Sequence, residues 1–442
     1  MTRPQLRLGA YFTGSGVQGD SWRHPDAHTD AYRDVDRYKV YAQKLEKACF
    51  DAIFFYDNVF APTDPVGIST TPLAPRWDPL ILVAALALVT QRIGLIATVS
   101  TSYSEPYNVA RHFASLDALS KGRVGWNVVT STAGGENFNL PAHLDHAERY
   151  ARAQEFVDVV TGLWDSWADD AFVENKETGQ WADPSKLHVL NHVGCYFSVK
   201  GPLNAARPVQ GWPVLAQAGS SEAGKDLAAR IGELLYTAAD NIEEARAFYA
   251  DVKARANQLG RASHHVHVMP GVMPVIGRTQ READDKYEQL LAYRDNDAHL
   301  RALANYASLG IDLTGLSLND VVTLPEHIEE TNSHKSRQKL MVDFIRREKP
   351  TVRDLITQFS AGGHRMLVGT PQSIADDFEH WFTTGACDGF NIMFSSTPGG
   401  LNDFVELVVP ELQKRGLFRT HYTGQTLRDH LGLSRVRNRH FA

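Results

Sequence analysis

Four places in the chain combine residue types and spacing that suit the binding of a charged or hydrogen-bonding small molecule. Asp57 ends the run DAIFFYDN, where the apolar stretch stops. A carboxylate at the C-terminal end of a strand either caps the next helix or lines a pocket, and in α/β barrels that rim carries the chemistry. Asn127 sits in the middle of the β-type run 124–129, an amide among Val, Gly and Trp. His146 and Tyr150 stand four apart, with Arg149 beside Tyr150. On a helix the pair shares one face and could hold an anionic or aromatic ligand; the alternative is an exposed helix start capped by Asp145. In AQAGSSEAGKDLAARI, Gly219 allows close backbone approach, and Ser220 and Ser221 place hydroxyls and free N–H groups where a phosphate would bind. A plain Ser N-cap is the commoner use of that pattern.

Other motifs carry less. The hexapeptide GSGVQG at 14–19 matches G-x-G-x-x-G after the first strand, but DSWRHPDAHTD follows where a dinucleotide-binding helix is required. It reads instead as a loop over the mouth of the fold. His264, His265 and His267 resemble a metal cluster, yet the alternation of VHVMPGVMPV makes a strand, and strand neighbours on opposite faces cannot share an ion. No metal is expected. There is no G-x-S-x-G elbow, no Walker loop and no H-E-x-x-H, so the commonest hydrolase and NTPase readings fall away.

The elements that must position these residues alternate along nearly the whole chain. Strands are expected at 6–12, 52–56, 93–99, 124–129, 214–218, 234–237, 266–276 and 389–394. Helices are expected at 34–48, 79–89, 106–119, 147–164, 222–231, 242–259, 371–383 and 401–415. Eight strands each followed by a helix give a (β/α)8 TIM barrel with insertion segments, with a doubly wound open sheet as the other arrangement of such units. Segments 169–211 and 293–363 exceed the tight repeat and read as lids.

The 442 residues are 43% hydrophobic and 22% charged, with a net charge of −7 and a pI near 6.2. These values suit a globular enzyme and imply no affinity for nucleic acid or anionic membrane. Cys49, Cys195 and Cys387 lie far apart without a CxxC pair, and no secretory leader or bilayer-length apolar run is seen, so a cytoplasmic location is expected. The basic SRVRNRH near the C-terminus reads as a solvated tail.

Several long segments together are similar to one family. They are WRHPDA (22–27), FDAIFFYD (50–57), RIGLIATVSTSYSEPYNVARHFASLDALSKGRVGWNVVTS (92–131), ERYARAQEFVDVVTGLWDSW (148–167) and GPLNAARPVQGWPVLAQAGSSEAG (201–224), followed by VGTP (368–371), ACDGFNIM (386–393) and GLFRTHYTGQTLRDHLGL (416–433). The chain resembles the FMNH2-dependent two-component monooxygenases typified by nitrilotriacetate monooxygenase component A and dibenzothiophene-sulfone monooxygenase, within the bacterial luciferase-like superfamily. GGENFN (134–139) stands where relatives usually carry alanine-arginine-asparagine-phenylalanine, which leaves the substrate open.

The resemblance implies a single luciferase-like barrel domain over 1–442, with insertions at about 169–211 and 293–363 and a C-terminal extension from about 416. It implies an oxygenase component that takes FMNH2 from a separate NAD(P)H:FMN reductase and uses O2, through a flavin peroxide, to oxygenate a small organic substrate by C–N or C–S cleavage or sulfur oxidation. Asp57 and Thr98 would then lie beside the flavin and Asn127 at the isoalloxazine edge. His146, Arg149 and Tyr150 would contact the flavin and its phosphate tail, and Ser220 and Ser221, after Gly219, would hold the phosphate. A homo-oligomer, dimer or tetramer, is implied too. The alternatives are a deazaflavin-dependent reductase or dehydrogenase on the same barrel, and a non-catalytic flavin-binding protein.

Overall fold

In a computed structural model the described residues are 5–17, 20–61, 63, 68, 76–139, 144–293, 300, 304, 309, 311–313, 315–328, 331, 335–359, 361 and 363–441. Eight parallel strands close into a barrel: β1 (Arg7–Phe12), β2 (Ala52–Phe55), β3 (Gly94–Ser100), β4 (Val124–Val129), β5 (Val214–Gln217), β6 (Leu234–Thr237), β7 (His267–Ile276) and β8 (Gly389–Met393). Each pairs with the next, and β8 returns to β1 with Tyr11 opposite Met393. The strands are apolar on both faces because each is covered twice, by helices outside and by the barrel interior within. Ala52, Phe54, Ile96, Val214, Ala216, Leu234, Tyr236 and Met269 fill the interior, with the Phe54 and Tyr236 rings 4.4 Å apart.

The helices that bear on the site are α1 (Val35–Lys47), α2 (Pro79–Ala87), α3 (Pro106–Ser120), α4 (His146–Trp164), α5 (Glu222–Ile231), α6 (Ile242–Gln258), α7 (Gln280–Ala292) and α8 (Lys335–Glu348). Several starts follow from sequence directly. Asp78 accepts hydrogen bonds from the Leu80 and Ile81 amides with Pro79 as the first helical residue, and Asn241 caps α6 through the Glu244 amide.

The structure departs from the sequence-based expectations in four places. Helix α7 was not anticipated, because it buries only Ala283 and Leu290 and so lacks a strong apolar stripe. Segment 293–363 contains α8 and a further helix, Val352–Phe359, around a separate apolar cluster that includes Leu309, Met341, Ile345, Leu355 and Phe359. A strand, Arg365–Gly369, then pairs with the C-terminal half of β7. The expected helix 401–415 is broken: Phe404–Val408 is a π turn, since Pro410 has no N–H to give the Glu406 carbonyl.

Two further corrections concern the segment read as a lid at 169–211 and the C-terminal segment read as a solvated tail. Insertion 169–211 folds as hairpins, and the Glu155 carboxylate on α4 accepts from the Cys195 and Phe197 amides at 3.0 and 2.9 Å. It is fastened to the α4 flank rather than spread over the mouth. The basic tail is docked as well: Arg435 forms a two-pronged pair with Asp169 at 2.6 and 2.7 Å, and Asn438 donates to the Trp167 carbonyl at 2.9 Å. Acidic residues of the insertion neutralise the tail, which composition alone could not reveal.

The base of the barrel is closed by the C-terminal extension. Leu427 enters between β3 and β4, where a β-carbon on Gly94 or Gly125 would stand 2.5 or 3.5 Å from its methyl groups. Beside it Arg428 and Glu233 form a buried bidentate pair at 2.8 and 2.9 Å. Among the described residues no helix is long and apolar enough to cross a membrane.

Candidate active site at the mouth of the barrel

Thr98 and Asn127 face one another across β3 and β4 in strand register. The Thr98 hydroxyl donates to the Phe55 carbonyl at 2.8 Å and accepts from Asn127 Nδ2 at 3.0 Å. A hydroxyl has one proton, so Asn127 must present its NH2 to it, which fixes the amide's orientation. Asn127 Oδ1 is then left buried without a hydrogen-bond partner among the described residues. Such an acceptor costs about 1–3 kcal/mol unless something supplies a donor.

Asn391, in the middle of β8, repeats the pattern. Its Oδ1 is buried and unpartnered, 3.0 Å from where a β-carbon on Gly9 would stand. The sequence reading missed it, although GFNIM carries the same signal as VGWNVV: an amide inside an apolar strand.

A second group gathers where α4 and α5 begin. His146 and Tyr150 occupy one face of α4, rings 4.8 Å apart, and His146 Nε2 lies 3.3 Å from Ser221 Oγ. Asp145 makes no side-chain cap, so the capping alternative does not describe this turn. Ser221 does cap α5, accepting from the Gly224 amide at 3.2 Å. Ser220 is half-buried and has no hydrogen-bond partner among the described residues. Gly219 donates to Gln217 Oε1 at 2.8 Å, and a β-carbon there would come within 2.4 Å of Gln217 Nε2 and 2.8 Å of the Tyr150 hydroxyl. Only glycine lets the loop fold this tightly onto the first turn of α5.

The N-terminus of α5 carries partial positive charge. Glu222 in its first turn would oppose an anion, but Lys225 and Arg255 pair with it at 2.7 and 2.6 Å and hold its carboxyl below the usual range. The place where Ser220 sits is therefore electrostatically open to a phosphate.

Two expected residues make other contacts. Arg149 is buried and turned toward the Leu144 carbonyl, 2.8 Å from Nη1, with Tyr103 nearby; desolvation pulls its pKa down. Tyr103 in turn stacks on Phe138 at 4.8 Å. Asp57 lies beyond the end of β2, half-buried between Arg76 and Asp78. Burial pushes its carboxyl up to about 6, with the Arg76 charge opposing. No hydrogen bond joins it to Thr98 or Asn127 among the described residues.

The remaining motifs are accounted for elsewhere. The 14–17 part of the glycine loop docks on the exit of β8, with the Val17 amide on the Phe394 carbonyl at 3.0 Å, and a short 3-10 turn, Ser21–Arg23, follows instead of a helix; Gln18 and Gly19 lie outside the described residues. His264 and His265 sit on a 3-10 turn, not in a strand, and His267 is buried at the opposite end of the barrel, where desolvation holds it at about 4. Among the described residues no group of three His, Cys, Asp or Glu is placed to hold a metal.

Residues 20–387 match the model of the luciferase-like monooxygenase family. The chain is 46% identical to N-acetyl-S-(2-succino)cysteine monooxygenase of Bacillus subtilis (strain 168), covering 99% of each. It is 44% identical to nitrilotriacetate monooxygenase component A of Aminobacter aminovorans, covering 98% of each. A solved riboflavin lyase, holding modified FMN and riboflavin, superposes with a TM-score of 0.86 at 32% identity over 99% of this chain and 97% of that one. The chain belongs to the luciferase-like monooxygenase family and is a flavin-dependent monooxygenase.

Proposed function

We propose that the protein is the oxygenase component of a two-component system, taking FMNH2 from a separate NAD(P)H:FMN reductase and acting with O2 on a small organic molecule, by C–N or C–S cleavage or by sulfur oxidation. The observation that carries the flavin assignment is the mouth itself: a buried acceptor lacking a donor, Asn127 Oδ1, and an anion-ready helix start at Ser220 and Ser221. An isoalloxazine ring offers N–H edges and FMN offers a terminal phosphate, so the two features match the two ends of one cofactor. Bound FMNH2 supplies the reducing electrons and the activation of O2.

The residues do the rest. Thr98 holds Asn127 so that its carbonyl meets the ring edge. Ser220, Ser221 and the α5 amides take the phosphate, His146 and Tyr150 support Ser221 and Gly219, and Arg149 and Asp57 complete the rim. Closure against water would protect reduced flavin from unproductive oxidation. We also infer one barrel domain over 1–442, a cytoplasmic setting and a homo-oligomer, as the family resemblance implies.

The test is anaerobic titration with FMNH2 of wild type, Asn127→Leu and Ser220→Ala. We expect at least tenfold weaker binding for Asn127→Leu and several-fold weaker for Ser220→Ala. Unchanged affinity in both would sink the site assignment. Mixing the wild-type complex with O2 and candidate substrates should give substrate-dependent 18O incorporation, which a storage protein or a deazaflavin reductase would not show.

A further inference from the structure

The insertion ends in the mouth of the barrel. His364, just before the strand that joins β7, lies on Gly271: a β-carbon there would stand 2.3 Å from His364 Nδ1. Gly271 is opposite Asn391 of β8, and the Thr237 backbone at the end of β6 also borders the ring. Helix α8 brings Arg337 to the same place, with Nη2 2.8 Å from His364 Nε2. A guanidinium only donates, so Nε2 must be the bare acceptor and the imidazole proton must sit on Nδ1. Desolvation and the adjacent guanidinium both hold this histidine far below its ordinary pKa, so it stays neutral.

Arg337 differs from the arginines around it. Arg365 is satisfied by both oxygens of Asp377 at 2.7 Å, and Arg347 pairs with Asp240 and Glu348. Arg337 has no carboxylate partner among the described residues, and its Nη1 is buried without a hydrogen-bond partner, packed against Gly363. A neutral imidazole steadies one edge of the cation, and the other edge has no hydrogen-bond partner among the described residues. Met273, two residues beyond Gly271 on β7, packs with Met393 and Ala361, and with Tyr11 and Met366, into an apolar wall. A partly buried cation with a buried spare donor suits an oxyanion.

Resting on the reading that substrate is oxygenated in this mouth, we propose that Arg337, positioned by His364, is the substrate-recognising residue for a carboxylate, with the methionine wall taking the hydrocarbon part of the same molecule. The enzyme would then act on small carboxylic acids and discriminate against their esters.

The experiment is anaerobic calorimetric titration of the FMNH2-loaded protein with nitrilotriacetate, succinate and benzoate, each against its methyl ester. Wild type should bind at least one acid tenfold or more tighter than its ester. Arg337→Gln should abolish that preference while leaving FMN affinity and ester binding unchanged. Arg337→Lys should restore part of it, and serves as the second probe should the glutamine variant fold poorly. Retained acid preference in Arg337→Gln, or acid and ester bound alike by wild type, would overturn the proposal; so would no acid binding by a protein that binds FMN normally. Failure of wild type to bind FMNH2 under anaerobic conditions would instead overturn the flavin reading on which the proposal rests.

Discussion

Arg123 and Arg337 are both arginines drawn into the protein, at opposite ends of the barrel, and they are treated in opposite ways. Arg123 spends its donors on Ser120 O, Thr90 Oγ1, Ile93 O, Ala87 O and Thr90 O, all between 2.7 and 3.1 Å, tying off the C-termini of α2 and α3. The same end holds the Arg428–Glu233 pair and the carboxylate of Asp117, which takes both the amide and the side chain of Gln210. At the mouth, Arg337, Asn127 and Asn391 each keep a buried polar atom unmatched. The base also keeps a buried atom without a partner, His267 Nε2, but its arginines are matched internally, whereas at the mouth Arg337 has no carboxylate among the described residues.

This contrast can be broken by experiment. The largest effect belongs to the base: Glu233→Ala leaves Arg428 buried without its carboxylate and should cost about 3–5 kcal/mol in denaturant unfolding. FMN affinity of the folded fraction should not change, and a parallel loss of affinity would mean the two ends are not independent.

The mouth should show the reverse sensitivity through Asp57. Its folded pKa, about 6, lies above the ordinary 3.8, so its contribution to stability is full below 3.8 and is lost as pH rises through 6. Asp57→Asn should therefore stabilise the protein at pH 8, by on the order of 1–2 kcal/mol after allowance for partial exposure, and hardly at all at pH 4. A gain of the same size at both pH values would refute that account. The smallest effect is Ser221→Ala, which should lower thermal stability by about 1 kcal/mol through loss of the α5 cap. A few-fold loss of FMN affinity should accompany it; stability loss alone would return Ser221 to a purely capping role.

The barrel strands were legible because each is buried on both faces and written in continuous apolar runs. Insertion 293–363 was not, because its helices pair scattered Leu, Ile and Phe over long separations while their exposed faces dominate the composition. Within the site, Asn127 could be read from its strand, and the loop 219–221 from its small residues ahead of a helix. Thr98 was found through family resemblance, since a threonine in a strand is ordinary by itself. The Arg337–His364 contact had no sequence signal: helix α8 and the loop before the added strand meet only because Gly271 leaves a place for an imidazole. Arg149 had no signal of its own beyond its place next to Tyr150, and its hydrogen bond to the Leu144 carbonyl depends on how the chain enters α4.

The plug formed by Leu427 bears on how this chain comes to be folded in the cell. Every strand of the barrel precedes it, so all eight emerge from the ribosome before the residue that seals their common floor. Until then Ile96 and Phe54 border an open hole between Gly94 and Gly125. Vectorial synthesis thus places the closure of the floor after all eight strands have been made. The final apolar closure comes from outside the repeat that built the barrel.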